Sequence, residues 1–282
     1  MAKIQIITDS TSSLPKKLLE ELKISTVPIN IVWDGQVFAD GIDLSREEFF
    51  ERMRTSYQMP TTAAPTPGAF HEVFDRLGNN GESVLAILMA REFSSTIQTA
   101  EIAAKLQNDK NITMWDSHSI SMGLGFQVLA AARAVAEGSD MDEVIAMLRE
   151  LRRRSGVFIT VNDMSFLRRG GRLSRSQYLM ANVIGYQPIL EVKGGPMTAV
   201  DRARSDRAAR ARMMDLVEER TGGVRPLRLA IGYTDNKSEG EAFLQQAEQE
   251  LKPDEILLFP VSQANSVHGG PGLLGISYSA GE

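Results

Sequence analysis

The sequence predicts an α/β protein in two parts: an N-terminal, mainly parallel sheet with flanking helices, then a C-terminal α/β part with a mixed or antiparallel sheet. In the first half, short apolar runs alternate with amphipathic stretches of helical length, which is typical of parallel strands joined by crossover helices. After about Val161, strand-like runs follow each other directly through turn residues. A chain of 282 residues also exceeds what one ordinary core holds. We therefore predict two domains, residues 1–160 and 161–282.

The strands of the first half are predicted from short apolar runs that contain β-branched or aromatic residues. These runs are residues 3–7, 25–32, 83–89, 112–115 and 157–161. Continuous apolar runs of this length fit strands that are buried on both faces. Asp34 and Gly35 predict a hairpin turn, after which residues 37–38 return as a short antiparallel strand.

Helices are predicted from their start signals and their apolar spacing. Ser12 precedes Pro15, which favours a helix start, and Ser45 with Glu48 has the spacing of a capping box. Apolar residues recur at helical spacing across residues 70–77. The second half is predicted to contain strands at 187–192, 198–203, 227–233 and 255–260, with helices at 205–219 and 238–250.

Composition limits the chemistry open to the chain. Hydrophobic residues make up 43% and charged residues 24%, which is ordinary for a folded globular protein. The absence of cysteine excludes disulfides, thiolate nucleophiles and cysteine zinc sites. A net charge of -5 argues against general affinity for nucleic acid, and no apolar run is long enough for a membrane span. We expect a cytoplasmic protein without a cofactor. We also expect no metal site, since the three histidines lack metal-binding spacing.

Three hydroxyl-rich segments follow predicted strands, at residues 8–14, 94–96 and 116–118. Ligands of open α/β folds bind beyond the carboxyl ends of the strands. A helix that starts after Ser94 would also offer backbone N–H groups to an anion. The same residue types serve as turn and helix-cap residues, so a binding role and a structural role both stay open for each segment.

Residues 60–67 contain three prolines, which favours an extended, stiff segment that presents Thr62 at a small ordering cost. On composition alone, a linker is the commoner interpretation. His268 precedes a glycine-rich loop at residues 269–272, which allows a close approach of the backbone. Its imidazole is therefore a candidate contact for a bound molecule, against the alternative of a plain surface turn.

Two arginine clusters have no obvious structural explanation. The first is Arg168, Arg169, Arg172 and Arg175, and the second is Arg202, Arg204, Arg207, Arg210 and Arg212. Arg204, Arg207 and Arg210 would lie along one stripe at the start of a predicted helix. Such a stripe binds phosphate, an acidic partner or nucleic acid, although a solvated surface is the usual role of such clusters.

Six segments, in this order, resemble the motifs of the DegV family of bacterial fatty-acid-binding proteins, whose members include the FakB subunits of fatty-acid kinase. The segments are residues 7–14, 60–67, 93–100, 116–117, 167–174 and 268–272. Each motif is weak alone, but six in register over the whole chain form a specific pattern.

The resemblance implies a long-chain fatty acid held at the interface of two α/β domains, with its carboxylate bound by Thr62 and Ser94 and with His268 nearby. If His268 titrates near neutrality, its cationic form would offset the carboxylate charge. Arg172 and Arg204 look like family arginines that flank the site and contact phosphate or a kinase.

The chain departs from the family pattern at Ser95, a predicted site residue where family members usually carry glycine. The function implied is that of a non-enzymatic subunit that presents a fatty-acid carboxylate to a separate ATP-dependent kinase. The main alternative is a lipid hydrolase or transferase with a serine, His268 and Asp9 or Asp116 as a triad. The sequence has no nucleophile elbow, which an α/β-hydrolase version of that alternative needs. It also has no Walker A loop, so ATP would be bound by the separate kinase. Nucleic-acid binding through the arginine clusters is a third hypothesis.

Overall fold

The computed structural model describes residues 4–78, 82–106, 111–174, 177–178, 183 and 185–281. The strands are β1 Ile4–Asp9, β2 Ser25–Val27, β3 Asn30–Trp33, β4 Gln36–Ala39, β5 Thr61–Ala63, β6 Ser83–Leu88, β7 Ile112–Asp116, β8 Ser155–Thr160, β9 Gln187–Val192, β10 Met197–Ala203, β11 Leu227–Tyr233, β12 Glu255–Pro260 and β13 Leu274–Ala280. The helices are α1 Lys16–Glu21, α2 Arg46–Thr55, α3 Pro67–Gly78, α4 Thr96–Leu106, α5 Ser121–Glu137, α6 Met141–Arg153, α7 Ser165–Arg169, α8 Asp206–Thr221, α9 Lys237–Leu251 and α10 Gln263–Gly269.

These strands form three sheets. The first is a parallel sheet with the order β2-β1-β6-β7. The second is a mixed sheet with the order β10-β9-β8-β13-β11-β12, in which β11 and β12 are parallel and the other neighbours antiparallel. A small antiparallel sheet, β4-β3-β5, is the third. The predicted combination of a parallel and a mixed sheet is confirmed. β8 lies within residues 1–160, the predicted N-terminal domain, yet it pairs with strands of the mixed sheet. The division into domains at residue 160 stays a prediction.

The segment that leaves the parallel sheet differs from its prediction at one point. The single strand predicted over residues 25–32 is wrong, because Pro28 has no N–H to donate to a ladder and separates two strands. The chain leaves the parallel sheet after Val27 and enters the small sheet at β3. The hairpin that follows is confirmed, since Asp34 and Gly35 have φ of 51° and 76°, as a tight hairpin turn requires.

The central helix α5 lies between the parallel sheet and the mixed sheet. Every residue from 121 to 129 is buried, as expected of a helix that is covered on all sides. Ile6 and Leu85 from the parallel sheet and Val157 from the mixed sheet join the helix in one core cluster. The sequence analysis predicted no element here, since a helix buried all round lacks the polar face that makes amphipathic helices recognisable.

Two glycines let α5 approach both sheets. Residues two apart on a helix point to roughly opposite sides, and Gly123 and Gly125 do so. A Cβ on Gly123 would lie 2.6 Å from Val157 Cγ2 on the mixed sheet. A Cβ on Gly125 would lie 3.0 Å from the carbonyl oxygen of Ser12, after β1, and 3.3 Å from Leu14. The closeness of the two sheets therefore depends on the missing side chains.

Other helices cover the outer faces of both sheets. α3 and α4 pack against the parallel sheet, with Phe70 and Ile97 among the buried residues. α8 and α9 pack against the mixed sheet, with Met213 and Phe243 among the buried residues. The molecule is thus layered as helices, parallel sheet, α5, mixed sheet and helices.

The hydroxyl-rich segment after β1 joins strand ends to α10 through a buried carboxylate. Asp9 accepts hydrogen bonds from the backbone N–H of Thr11 at 2.9 Å, from the hydroxyl of Thr11, and from the N–H of Met89 at 2.8 Å. Asn265 on α10 donates to the carbonyl of Thr11 at 2.9 Å. Burial raises the pKa of Asp9, and the hydrogen bonds oppose that rise.

A second buried carboxylate, Asp40, holds the start of α10. It accepts hydrogen bonds from the hydroxyl of Ser10 at 2.6 Å and from the backbone N–H of Ala264 at 3.1 Å. Ser10 in turn accepts from the N–H of Ile29 at 3.0 Å. Loss of hydration raises the pKa of Asp40 to about 6. The position of α10 therefore depends on polar groups from the first forty residues.

We predict that Asp40→Asn flattens the pH dependence of stability. The pKa of Asp40 is about 6 in the folded protein against an ordinary 3.8, so folding favours the protonated form. Its contribution to stability is therefore complete below about pH 4 and is lost as the pH rises through about 6. At 1.36 kcal/mol per pH unit, the gap corresponds to at most about 3 kcal/mol.

Urea unfolding between pH 4 and pH 8 measures this effect as the difference in the free energy of unfolding between the variant and the original protein. The free energy of unfolding of Asp40→Asn should rise relative to that of the original protein as the pH increases from 4 to 7. Asp43→Asn, at an exposed aspartate of the same loop, is the control for the removal of one carboxylate from this loop. A difference that is constant with pH would contradict the prediction.

Candidate functional site

A cavity of about 310 Å³ opens between the parallel sheet, the mixed sheet and α10, within the usual range of roughly 300–1,000 Å³ for small-molecule sites. Five of the six predicted site residues line it: Thr62, Ser94, Ser95, Arg172 and His268. Most of the remaining wall is apolar and includes Ile29, Met89, Phe93, Ile159, Phe259 and Val261. Both halves of the chain therefore contribute to one mainly apolar cavity whose lining also includes polar groups.

Thr62 is held by a strand, not by a flexible linker. Residues Thr61–Ala63 form β5, in which Thr62 pairs with Ile31 of β3. The extended conformation predicted for the proline-rich segment is confirmed over β5, and the linker interpretation is wrong. Thr62 Oγ1 lies 2.8 Å from His268 Nε2, which joins the small sheet to α10.

His268 lies in the last turn of α10, which extends to Gly269, the first residue of the predicted glycine loop. Ser262 caps this helix by accepting a hydrogen bond from the N–H of Asn265, and its own N–H donates to the hydroxyl of Ser13 at 3.1 Å. The glycine loop begins after the helix, with Gly270 at φ 75°. The imidazole is thus fixed by a capped helix.

Burial and the neighbouring cation Arg172 lower the pKa of His268 to about 3. The expectation that His268 titrates near neutrality as a cation is therefore wrong for this site, because the imidazole is too poorly hydrated to take up a proton. Arg172 is half-buried, lines the same cavity and donates a hydrogen bond to the carbonyl of Gly170. The permanent positive charge at the site is that of Arg172.

Gly170 contacts the other side of the imidazole. A Cβ on this residue would overlap His268 Nδ1, so only glycine fits here with the ring in place. Nδ1 is buried and has no hydrogen-bond partner among the described residues. The sequence analysis did not identify Gly170 as a site residue, because its role depends on a contact across the fold.

Ser94 has a structural role as a helix cap, which is one of the two roles that its sequence left open. Its hydroxyl accepts a hydrogen bond from the N–H of Thr96 at 3.2 Å and lies 2.8 Å from Thr96 Oγ1, at the start of α4. It also lines the cavity, next to the exposed Ser95. A helix-capping hydroxyl therefore also faces the enclosed space.

Comparison with known proteins connects this geometry to a family. A family model described as "Uncharacterised protein, DegV family" matches residues 3–281. The chain belongs to the DegV family. It is 33% identical over 282 residues to a DegV domain-containing protein of Caldanaerobacter subterraneus, and the match covers 99% of each chain.

Solved structures of the DegV family share the fold over the full length. A DegV family protein from Thermus thermophilus, described by its fatty-acid binding, has a TM-score of 0.92 at 29% identity, with 99% of this chain and 100% of that chain covered. DegV from Bacillus subtilis, described as a fatty acid binding protein, has a TM-score of 0.90 at 25% identity, with both chains fully covered. These relatives are fatty-acid-binding proteins.

Arg204, the sixth predicted site residue of this DegV-family chain, does not line the cavity. It is exposed, and its Nε donates to the hydroxyl of Tyr186 at 3.2 Å. Arg202 lies over the same ring, 5.2 Å from its centroid. Arg210 lies 3.9 Å from Glu239 on α9, and the predicted stripe with Arg204 and Arg207 stays a prediction. Arg175 of the other cluster lies outside the described residues.

The hydrolase alternative requires an aspartate beside His268, and the described residues provide none. Asp9 is bonded to Thr11 and Met89. Asp116 lies 3.4 Å from the Nε of Arg91. The geometry therefore does not form the triad that this alternative predicted.

Asp116 does lie close to Glu92 and His118, a grouping that sequence spacing did not reveal. Their ligand atoms are within 4.8 Å of one another, and His118 Nδ1 is 3.4 Å from Glu92. The guanidinium of Arg91 already balances the charge of Asp116, which disfavours a cation. The absence of a metal stays a prediction.

Further cavity residues were missed by the sequence analysis. Thr11 and Asn265 line the cavity and bond to each other. Thr11 falls in the hydroxyl-rich segment after β1, whereas the only signal for Asn265 was Ser262, which stands three residues earlier and caps α10.

Among the helices of the described residues, none is long and apolar enough to cross a membrane.

We predict that Gly170→Ala displaces His268. Gly170 has φ -70° and ψ -11°, which alanine adopts without strain, so the effect would come from the overlap with the imidazole alone. The ring should rotate away, break its hydrogen bond with Thr62 and cost about 1–3 kcal/mol of stability.

Imidazole chemical shifts and urea unfolding measure the two effects. Gly68→Ala is the matched control, because its Cβ would meet only Thr66 Oγ1 at an ordinary 3.7 Å. Unchanged His268 shifts in Gly170→Ala would show that the contact does not position the ring.

Proposed function

We propose that this protein binds one long-chain fatty acid, with the acyl chain in the apolar cavity and the carboxylate at Thr62, Ser94 and Arg172. The observation that carries the proposal is a mostly apolar cavity whose lining also includes hydroxyls and one half-buried guanidinium. The fatty-acid binding described for the relatives from Thermus thermophilus and Bacillus subtilis supports the same ligand class.

The acyl chain would supply most of the binding free energy. Burial of one methylene is worth about 0.8 kcal/mol, so roughly 14 methylenes give on the order of 11 kcal/mol before association and ordering costs are subtracted. A carboxylate removed from water carries a large penalty unless donors and a positive charge surround it. The polar groups therefore orient the head group and offset its desolvation.

The neutral state of His268 supports a specific hydrogen-bond arrangement. A buried N–H without a partner is costlier than an unpartnered ring nitrogen lone pair, so the proton belongs on Nε2. There it donates to Thr62 Oγ1, which lies 2.8 Å away. The hydroxyl proton of Thr62 is then free to donate to the carboxylate, and Arg172 provides the opposite charge.

Thr62→Val tests the head-group arrangement, because it removes the hydroxyl and keeps the β-branched shape that suits β5. Loss of a hydrogen bond to a charged group is worth about 1.5–3 kcal/mol, so the affinity for palmitate or oleate should fall roughly 10- to 150-fold. Thr61→Val is the control, since Thr61 is on the same strand but does not line the cavity.

Mass spectrometry of the denatured, purified protein should also detect a co-purified fatty acid. If no fatty acid is extracted and neither palmitate nor oleate is taken up, the protein is not a fatty-acid-binding protein. Equal affinities of Thr62→Val and Thr61→Val would remove Thr62 from the head-group site.

We also propose that the bound carboxylate is presented to a separate ATP-dependent kinase, in the cytoplasm, for acyl-phosphate formation. The sequence has no nucleotide-binding loop, so the phosphate donor would be held by another protein. The exposed pair Arg202 and Arg204, which both lie over the ring of Tyr186, offers positive charge for such a partner or for the transferred phosphate. The likeness of the six motifs to FakB subunits supports this role.

Arg204→Ala separates presentation from binding. With a bacterial fatty-acid kinase and ATP, this variant should form acyl phosphate at least about tenfold more slowly, as expected when one charge-assisted contact is lost. Its affinity for oleate should be unchanged, since Arg204 does not line the cavity. Arg207→Ala, another exposed arginine of the cluster, is the control. Acyl phosphate made from ATP without any kinase would refute the presenting role.

A further inference from the structure

The face of the mixed sheet that lies against α5 carries a line of small side chains. Every second residue of a strand faces the same side, and on β13 these residues are Gly275, Ser277 and Ser279. On β11, Gly232 pairs with Gly275 and Ala230 pairs with Ser277. The small side chains leave a trough between sheet and helix.

Two cavities lie along this trough. The cavity described above is lined by Gly232, Gly275 and Ser277. A second cavity, of about 400 Å³, is lined by Ser279 and by Arg228, its neighbour on β11. Ser277 and Ser279 are one side-chain repeat apart, about 7 Å. The residues of β13 that line the two cavities are therefore neighbours on one face of the strand.

α5 roofs both cavities and runs from one to the other. Ile120 and Ser121, at its start, line the first cavity. Phe126, Leu129 and Ala130, one to three turns later, line the second. Along their sequences, α5 and β13 thus both pass from the first cavity to the second.

Phe126 is the first residue of α5 that lines the second cavity. One turn before it, Gly123 lies against Val157, which pairs with Ser277 of the first cavity. Helical side chains lean toward the helix N-terminus, so the ring of Phe126 leans back from the level of Ser279 toward that of Ser277. The ring is 3% exposed and belongs to the central core cluster.

We propose that Phe126 sets the maximum length of the acyl chain by closing the trough between the two cavities. The second cavity would take the terminal methylenes of longer chains once this ring is replaced by a smaller side chain. Its apolar lining, which includes Leu129, Ala130 and Leu151, would contact a methyl end, and its wall also contains the charged residues Arg133, Glu137, Glu143 and Arg228. This inference rests on the proposed binding of a fatty acid in the first cavity.

The test is a binding series of saturated fatty acids from tetradecanoate to tetracosanoate. With the original protein, affinity should fall beyond a limiting chain length. Phe126→Ala should move that limit upward by about five or six carbons, since the side-chain repeat to the second cavity is about 7 Å and an extended acyl chain advances roughly 1.25 Å per carbon. Leu129→Ala also enlarges the second cavity but leaves the ring of Phe126 in place, so its limit should equal that of the original protein.

Two further variants keep the test decisive if Phe126→Ala does not fold. Phe126→Leu removes less of the side chain and should also move the limiting chain length upward. Ser277→Leu fills the trough ahead of the Phe126 ring and should move the limiting chain length downward.

Folded Phe126 variants that keep the original limit would overturn the role of Phe126, as would an equal upward shift in Leu129→Ala. If no acid of any length binds to the original protein, fatty-acid binding itself is refuted together with this inference. If fatty acids bind but the folded Phe126 variants keep the original limiting chain length, only the role of Phe126 in setting that length is refuted.

Discussion

The burial of α5 between two sheets is the constraint on which the rest of the structure depends. A helix on one sheet needs a single apolar face, but α5 is covered on both sides and is buried at every residue from 121 to 129. Gly125 rests against the segment after β1, and Gly123 rests against β8. The helix cannot move toward the mixed sheet without leaving the parallel one. Where the mixed sheet offers only Gly275 and Ser277, the space below the helix is therefore left open, and this space is the cavity.

The polar end of the cavity depends on α10 in a similar way. This helix carries His268 at its end, while its start is bonded to Asp40 and its side, through Asn265, to Thr11. A short helix has little stability of its own, so the groups contributed by the N-terminal segment decide where the imidazole lies. The cost of burying the Asp40 carboxylate, which raises its pKa to about 6, is offset only in part by these hydrogen bonds. Precise placement of His268 is thus obtained at some expense of stability.

Sequence patterns predicted the strands at residues 187–192, 227–233 and 255–260 with the bounds that the structure has, because each is a short apolar run between turn residues. They failed for α5, whose apolar residues point in all directions, and for the break at Pro28, where one apolar run serves two sheets. Thr62 and Ser94 were found through motifs. Gly170 and Phe126 were not, because each acts through a contact with a distant segment, and no spacing along the chain encodes such a contact.

The neutral imidazole changes how the candidate site handles charge. A cationic histidine would tie affinity for a carboxylate to pH, since its charge would be lost as the pH rises through its pKa. With the pKa of His268 at about 3, its protonation state is constant through the physiological range, and the positive charge comes from Arg172, which stays protonated. Arg172 also lowers the pKa of His268. One guanidinium therefore both supplies the charge and keeps the imidazole neutral, so that Thr62 remains a donor to the ligand.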